Sequence, residues 1–230
     1  MYSITYNDEN CLAYRIVPVR RPSVPAPEVR VEETEIPGMD GALIENYGTY
    51  GLITIPIEFN FLSRPLEWMG AYRAVKKWLK GSGWLKLGDD RDYLYKVYYV
   101  NITDTERTSI RIGSFTAEFI CYPYAYLESG QQEYTAAEVA YNPYEVSHPT
   151  YLITGEGMCT LTVNGKTMTA NVGQNLTIDT DRMLAYRQDG TMQNTAVTGD
   201  YADLYLIEGE NSISITSGFS LSVIPNWRCL

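Results

Sequence analysis

The sequence predicts a mainly β protein, with a single α-helix in its first half and a small β-sandwich in its second. Three observations carry this. Residues 52–61 alternate apolar and mostly polar side chains, residues 63–80 run at a helical period, and beyond residue 149 short period-2 runs follow one another closely. At 230 residues the chain has room for one large all-β domain or two smaller ones. Its pattern favours two, 1–135 and 149–230, joined by a connection over 136–148.

In the first half, Ile53, Ile55, Ile57, Phe59 and Phe61 fall on one face of an extended chain, with Thr54, Pro56, Glu58 and Asn60 on the other. Pro56 lies on the polar phase, where it suits an edge strand or a bulge. From Ser63 to Lys80 the period changes: Leu66, Met69, Tyr72, Val75 and Leu79 recur at three to four residues. Ser63 is the expected N-cap, Pro65 fits the first turn, Glu67 suits the positive N-terminal end, and the lysines before Gly81 suit the C-terminus. Trp84–Leu87 and Tyr93–Val100 flank Gly88-Asp89-Asp90-Arg91-Asp92 and read as a hairpin. A strand over Phe115–Cys121 follows.

Periodicity fades between Gly130 and Pro149, around Gln131-Gln132, Asn142-Pro143 and His148-Pro149, as in a domain connection. Beyond it the expected strands are Thr150–Thr154, Cys159–Val163, Lys166–Val172, Asn175–Asp179, Leu184–Arg187, Asn211–Thr216 and Phe219–Pro225. Asn164-Gly165 is the strongest hairpin signal, because both central positions of a type I′ turn need positive φ.

Composition narrows the function classes. With 45% apolar and 20% charged residues the chain can build a core, unlike a disordered segment. No run approaches the roughly 20 apolar residues of a membrane span, and the first residues lack the basic and apolar regions of a signal peptide. The expectation is a protein made soluble in a cytoplasm, with no membrane insertion. A net charge of −10 opposes binding to nucleic acid, whose affinity comes from clustered Lys and Arg. Cys11, Cys121, Cys159 and Cys229 lie far apart, with no zinc or redox spacing, and read as packed free thiols. Tyrosine outnumbers phenylalanine 20 to 5, which suits half-buried strands and subunit interfaces.

Catalytic chemistry finds little to stand on. His148 is the single histidine, so a Ser-His-Asp triad has one candidate base and His-rich metal motifs have none. Asp89, Asp90 and Asp92 offer a cation or acid/base cluster, against the commoner role of turn aspartates bonding their own backbone. Phosphate-binding glycine motifs are absent. No cofactor, metal or catalytic residue is expected. Trp84, Tyr151, Tyr186 and Trp227 are candidate sugar-stacking platforms or, more simply, core aromatics. The glycine-rich stretch from Pro37 to Gly51 reads as turns and an extended loop. It is too polar for core yet carries Leu43, Ile44, Tyr47 and Tyr50, so Gly38, Asp40, Gly41, Leu43, Tyr47 and Tyr50 are the candidate oligomer interface.

Taken together, the residues resemble the distal tail protein (Dit) family of long-tailed phages infecting Gram-positive bacteria. In the first half the resemblance rests on Ile36-Pro37-Gly38-Met39-Asp40-Gly41, the strand to Phe61, the helix ending Lys77-Trp78-Leu79, and Phe119–Tyr124. In the second it rests on Asn142-Pro143, Thr150–Gly157, Val163-Asn164-Gly165-Lys166, Ile178-Asp179-Thr180, Gly209-Glu210-Asn211 and Pro225-Asn226-Trp227-Arg228. Met39 stands where the family often has a basic residue, so that residue's contact is not carried over.

The resemblance implies an N-terminal β-sandwich with one helix that forms a sixfold ring, and a C-terminal galectin-like β-sandwich at its periphery. It implies a structural hub at the virion tail tip, assembled in the host cytoplasm. The partners are other copies of the chain in single or stacked rings, the tail tube protein and the tail-associated fibre or lysin protein. Tape-measure and receptor-binding proteins are further candidates. An acidic chain suits a channel that must not grip passing DNA, so acidic residues are expected to dominate the lumen. The competing readings are a tube subunit, which needs no second sandwich; a carbohydrate-binding module on the host wall; and a glycosidase, for which no pattern pairs two carboxylates.

Overall fold

The computed structural model describes residues 2–38, 40–65, 67–103 and 105–230. Met39, the departure from the family pattern, and Leu66, an expected apolar helix position, lie outside the described residues. The chain divides into two compact units, Met1–Ala125 with Leu230 and Tyr126–Cys229. Residues 136–148, expected as a connection, belong to the second unit. Within this segment Tyr141–Asn142 pairs with Gly209 and Glu210, and just before it Tyr134–Thr135 pairs with Ser222 and Val223.

The first unit contains β1 (Ile4–Tyr6), β2 (Ile16–Pro18), β3 (Val29–Thr34), β4 (Leu43–Tyr50), β5 (Ile53–Leu62), α1 (Trp68–Trp78), β6 (Gly83–Leu87), β7 (Tyr93–Ile102) and, as far as Ala125, β8 (Ile112–Leu127). One sheet runs in the order β1-β6-β7-β8-β5-β2, while β3 and β4 pair with each other. The alternation of β5 is realised without a break: all five odd residues from Ile53 to Phe61 are buried and the even ones exposed. Phe59 opposes Phe115, Ile57 opposes Ala117, Ile55 opposes Phe119 and Ile53 opposes Cys121. Pro56 lies outside the stretch of β5 that pairs with β2. The sheet curls so that Ile4, Tyr6, Ile16, Leu85, Leu87 and Val97 join the same core. Each fully buried side chain of this size contributes about 1.5–3 kcal/mol.

The helix is shorter than its periodicity suggests, and Ser63 is not its N-cap. Ser63 is buried, with its backbone N–H donating to the Arg111 carbonyl at 2.8 Å and its hydroxyl to the same oxygen at 3.4 Å. The side chain is used by the sheet, and the helix begins after Glu67 without a side-chain cap. Pro65 consequently precedes the helix. The buried stripe is Trp68, Val75, Trp78 and Leu79, with Tyr72 half-buried, whereas Met69 turns to solvent. Trp78 donates from Nε1 to the Tyr6 carbonyl at 3.2 Å and stacks on Tyr14 with ring centroids 5.0 Å apart, tying the helix to β1. Lys76 and Lys77 occupy the last turn as expected.

The second unit is organised by one long ribbon, β9 (Thr150–Val163) and β10 (Lys166–Asp179), paired over all 14 residues of each strand. Four of the short strands expected from the sequence are therefore two long ones. Their apparent break is a bend, at Gly157 with φ 100° on β9 and, on β10, at Gln174 with φ 72°, which pairs with Gly155. The inward phase survives it: Tyr151, Ile153, Cys159, Leu161 and Val163 are buried on β9, and Met168, Ala170, Val172, Leu176 and Ile178 on β10. On one side of the bend β9 pairs with β13 (Ser220–Ile224) and β10 with β11 (Leu184–Tyr186). On the other side β9 pairs with β12 (Ile213–Ile215) and β10 with Val197–Thr198. The two halves of one ribbon thus enclose a single core with Ala185, Leu204, Leu206 and Val223. The protein is mainly β, with curled sheets and, among the described residues, one α-helix.

Candidate functional site

The feature that the core does not explain is the β3–β4 ribbon. All of its residues are exposed except Tyr50, which is half-buried at the base. Tyr50 packs edge-on to Tyr124 with centroids 6.1 Å apart, and the Gly51 N–H donates to the Glu28 carbonyl at 2.8 Å. The sequence left Leu43–Tyr50 as turns and loop because a ribbon with both faces in solvent carries no burial pattern; pairing with β3 makes it a strand. The register opposes Val31 to Asn46, Glu32 to Glu45, Glu33 to Ile44 and Thr34 to Leu43. It shifts between Val29 and Val31, opposite Gly48, whose φ is 66° and whose N–H is held by Asn46 Oδ1 at 2.8 Å.

Strand alternation places Leu43, Glu45 and Tyr47 on one face with Glu32 and Thr34. Leu43 is 55% exposed and Tyr47 54%. The Tyr47 hydroxyl donates to Glu32, and that carboxylate raises the phenol's pKa above its ordinary value. Of the expected interface residues, then, Leu43 and Tyr47 share a face, Gly38, Asp40 and Gly41 lie in the connection at the tip, and Tyr50 anchors the root. Gly38 and Gly41 both have φ near +85°, which the turn requires. Glu32 and Glu45 were missed. The alternation of Val29 and Val31, short as it is, was the signal that a partner strand lay upstream.

Other candidates are absorbed by structure. The Arg228 guanidinium meets Nε2 of His148 at 3.0 Å, Asp181 Oδ1 lies 3.2 Å from Nδ1, and Tyr205 stacks on the ring at 3.9 Å. Donation from Arg228 makes Nε2 the acceptor and leaves the Nδ1 proton to Asp181. Neither ring nitrogen is left for a substrate. Asp89 pairs with Arg21 Nε at 3.4 Å and Asp90 accepts from the Tyr95 hydroxyl at 3.2 Å. Among the described residues no cluster of three His, Cys, Asp or Glu groups could hold a metal. The cysteines are free thiols, and burial pushes Cys121 up to about 12.

Two of the candidate sugar platforms are absorbed in the same way. Tyr151 is fully buried, its hydroxyl donating to the Leu204 carbonyl at 2.7 Å, and Trp227 packs between Tyr134 and Tyr144. A groove of about 590 Å³ at the ribbon bend is lined by Glu156, Gln174, Asn175, Arg187, Gln188 and Asp189, without an aromatic ring.

The motifs of the second half prove to be joints. Asn164, at φ 51°, exchanges backbone and side-chain hydrogen bonds with Ser212 and donates to Asn211 Oδ1 at 2.8 Å. Buried Asn211 in turn closes the Ile207–Gly209 turn. Asn226, at φ 50°, donates to the His148 carbonyl at 2.8 Å, and Arg228 Nε to that of Val146 at 2.8 Å.

No protein-family model matches the chain, and no curated protein sequence does. Among solved structures it is similar to the Dit protein of phage SPP1, described as a paradigm of the hub adsorption apparatus in phages that infect Gram-positive bacteria. The TM-score is 0.65 at 12% identity, with 100% of both chains covered. The resemblance read from the motifs is thus met at the level of architecture, and the chain has the fold of SPP1 Dit over its whole length.

Proposed function

We propose that the chain is a structural virion protein of the Dit family, a tail hub that forms a sixfold ring joining the tail tube to the tail-tip adsorption apparatus. The observation that carries this reading is the β3–β4 arm. A two-stranded ribbon alone in water is marginal, and one that exposes Leu43, Ile44 and Tyr47 gains its stability from whatever covers it. Its likeness in fold to a hub protein along the full chain supports the same conclusion.

In this role the arm's Leu43 and Tyr47 pack on a neighbouring copy, with Gly38, Asp40 and Gly41 shaping the tip and Tyr50 holding the root. One ring face meets the tail tube protein and the other the tail-associated fibre or lysin protein; tape-measure and receptor-binding proteins are further partners. The second unit serves as a galectin-like β-sandwich. The protein is assembled in the host cytoplasm and resides at the virion tail tip. It has no catalytic role, in keeping with a sole histidine whose two nitrogens are occupied. The −10 charge suits a bore lined by carboxylates, and a ring structure with a strongly basic bore would contradict that assignment.

The test is native mass and negative-stain imaging over a concentration series, alone and with the tube protein. Sixfold rings are expected. A chain that stays monomeric in both settings and binds one sugar class on a glycan array would replace the hub reading with that of a carbohydrate-binding module.

A further inference from the structure

The arm has a counterpart in the same unit. Beside the start of α1 lies an open groove of about 610 Å³, whose lining includes Arg15, Leu62, Arg64, Met69 and Arg73. Arg15 is held at φ 58° where the turn after Tyr14 enters β2, Leu62 ends β5, and Met69 and Arg73 are one helical turn apart on α1. Leu62 is 57% exposed and Met69 52%, two large apolar side chains left in solvent within one groove. Among the described residues none of the three arginines has an ion-pair partner, and Glu67 is the single carboxylate of the lining.

We infer that this groove receives the β3–β4 arm of the next copy of the chain, an inference that rests on the ring-forming role proposed above. The two surfaces match in kind. The arm presents Leu43 and Tyr47 flanked by Glu32 and Glu45; the groove presents Leu62 and Met69 flanked by Arg15, Arg64 and Arg73. Glu32 stands directly opposite Glu45, a like-charge pair that destabilises a free ribbon, and a guanidinium reaching both carboxylates relieves it. The chain's own arm does not fill its own groove, since Leu43 and Tyr47 are exposed. Because arm and groove are different surfaces, the contact is head-to-tail, the type that generates rings when its rotation closes. The apolar side chains supply affinity, and the charges set register and exclude wrong pairings.

The experiment exchanges the charges. E32R/E45R on the arm and R64E/R73E in the groove are made separately, and native mass is measured for each variant and for their equimolar mixture. Each variant alone is expected to lose assembly and run at the single-chain mass of 26.0 kDa. The mixture is expected to regain the wild-type mass, because reversed arm meets reversed groove and native arm meets native groove in alternation. Wild-type rings together with variants that still assemble, or with a mixture that does not, overturn the groove assignment and leave the ring standing. A wild type that never assembles overturns both. Should a reversed variant fail to fold by circular dichroism, L43C and M69C combined in one chain decide instead. Oxidation is expected to give a ladder of covalent oligomers not seen with either cysteine alone, and its absence counts against the groove.

Discussion

Two antiparallel ribbons in this molecule are built on the same backbone ladder and have opposite fates. β9–β10 pairs 14 residues a side and buries every second one on both sides of its bend; β3–β4 pairs a shorter stretch and buries none. The hydrogen bonds are of one kind, so they do not decide where a ribbon goes. Side chains do. A ribbon with an apolar face is drawn into a core, and one carrying carboxylates beside scattered apolar groups is left to find its partner elsewhere.

The comparison is most exposed to failure in the buried ribbon. Leu161→Ala is expected to cost about 2–5 kcal/mol, read as a fall in the denaturant midpoint at unchanged slope, because Leu161 is fully buried. A cost near zero would mean that the core of the second unit does not depend on β9.

Alkaline pH sharpens the contrast between two tyrosines. Burial raises the Tyr151 phenol, and the Glu32 carboxylate raises that of exposed Tyr47. A phenol raised in the folded state stabilises fully below its unfolded value of about 10, and that contribution is lost as pH rises beyond it. Stability should therefore fall above pH 10 by up to about 1.4 kcal/mol per unit on account of Tyr151. Tyr151→Phe should flatten that slope, and Glu32→Gln should bring the Tyr47 phenolate signal to lower pH in an absorbance titration. Equal slopes in wild type and Tyr151→Phe would remove burial as the cause.

At the ribbon's turn, Asn164→Ala places alanine at φ 51° and deletes the side-chain bonds to Asn211 and Ser212. A loss of about 1–2 kcal/mol is expected from the left-handed backbone alone. Asn164→Gly should recover part of it, and failure to do so would shift the weight to the side-chain bonds.

The smallest effect on folding belongs to the arm. Leu43→Glu with Tyr47→Glu should alter unfolding free energy by less than about 0.5 kcal/mol in the monomer, as surface changes do, while abolishing assembly. Native circular dichroism with persisting rings would sink the arm as an interface. A large loss of monomer stability would show that the ribbon is supported within its own chain.

Where one face is buried, the amino-acid order was enough. The alternation from Ile53 to Phe61, the Asn164-Gly165 turn and the hairpin of Trp84–Leu87 with Tyr93–Val100 each appear in the structure at the expected residues, because burial at period 2 imprints itself on sequence. Legibility ended where a residue served something distant. Ser63 has the chemistry of an N-cap but lies against Arg111, 48 positions away. Gly157 and Gln174 bend a continuous ladder that looked like four strands, and Asn211 and Arg228 are joints whose partners the sequence does not announce.

The sequence by itself determined the mainly β character, the single helix, the lack of a phosphate-binding or zinc motif and the polar, glycine-rich stretch that carries Leu43, Tyr47 and Tyr50, all of which depend on local pattern and composition. Only the tertiary structure decided that Leu43 and Tyr47 share a face with two opposed carboxylates, and that an arginine-lined groove is open beside the helix. Cross-strand register and the gathering of Arg15, Leu62 and Arg73 around one groove depend on long-range packing, set by the free energy of the whole core rather than by any segment of it.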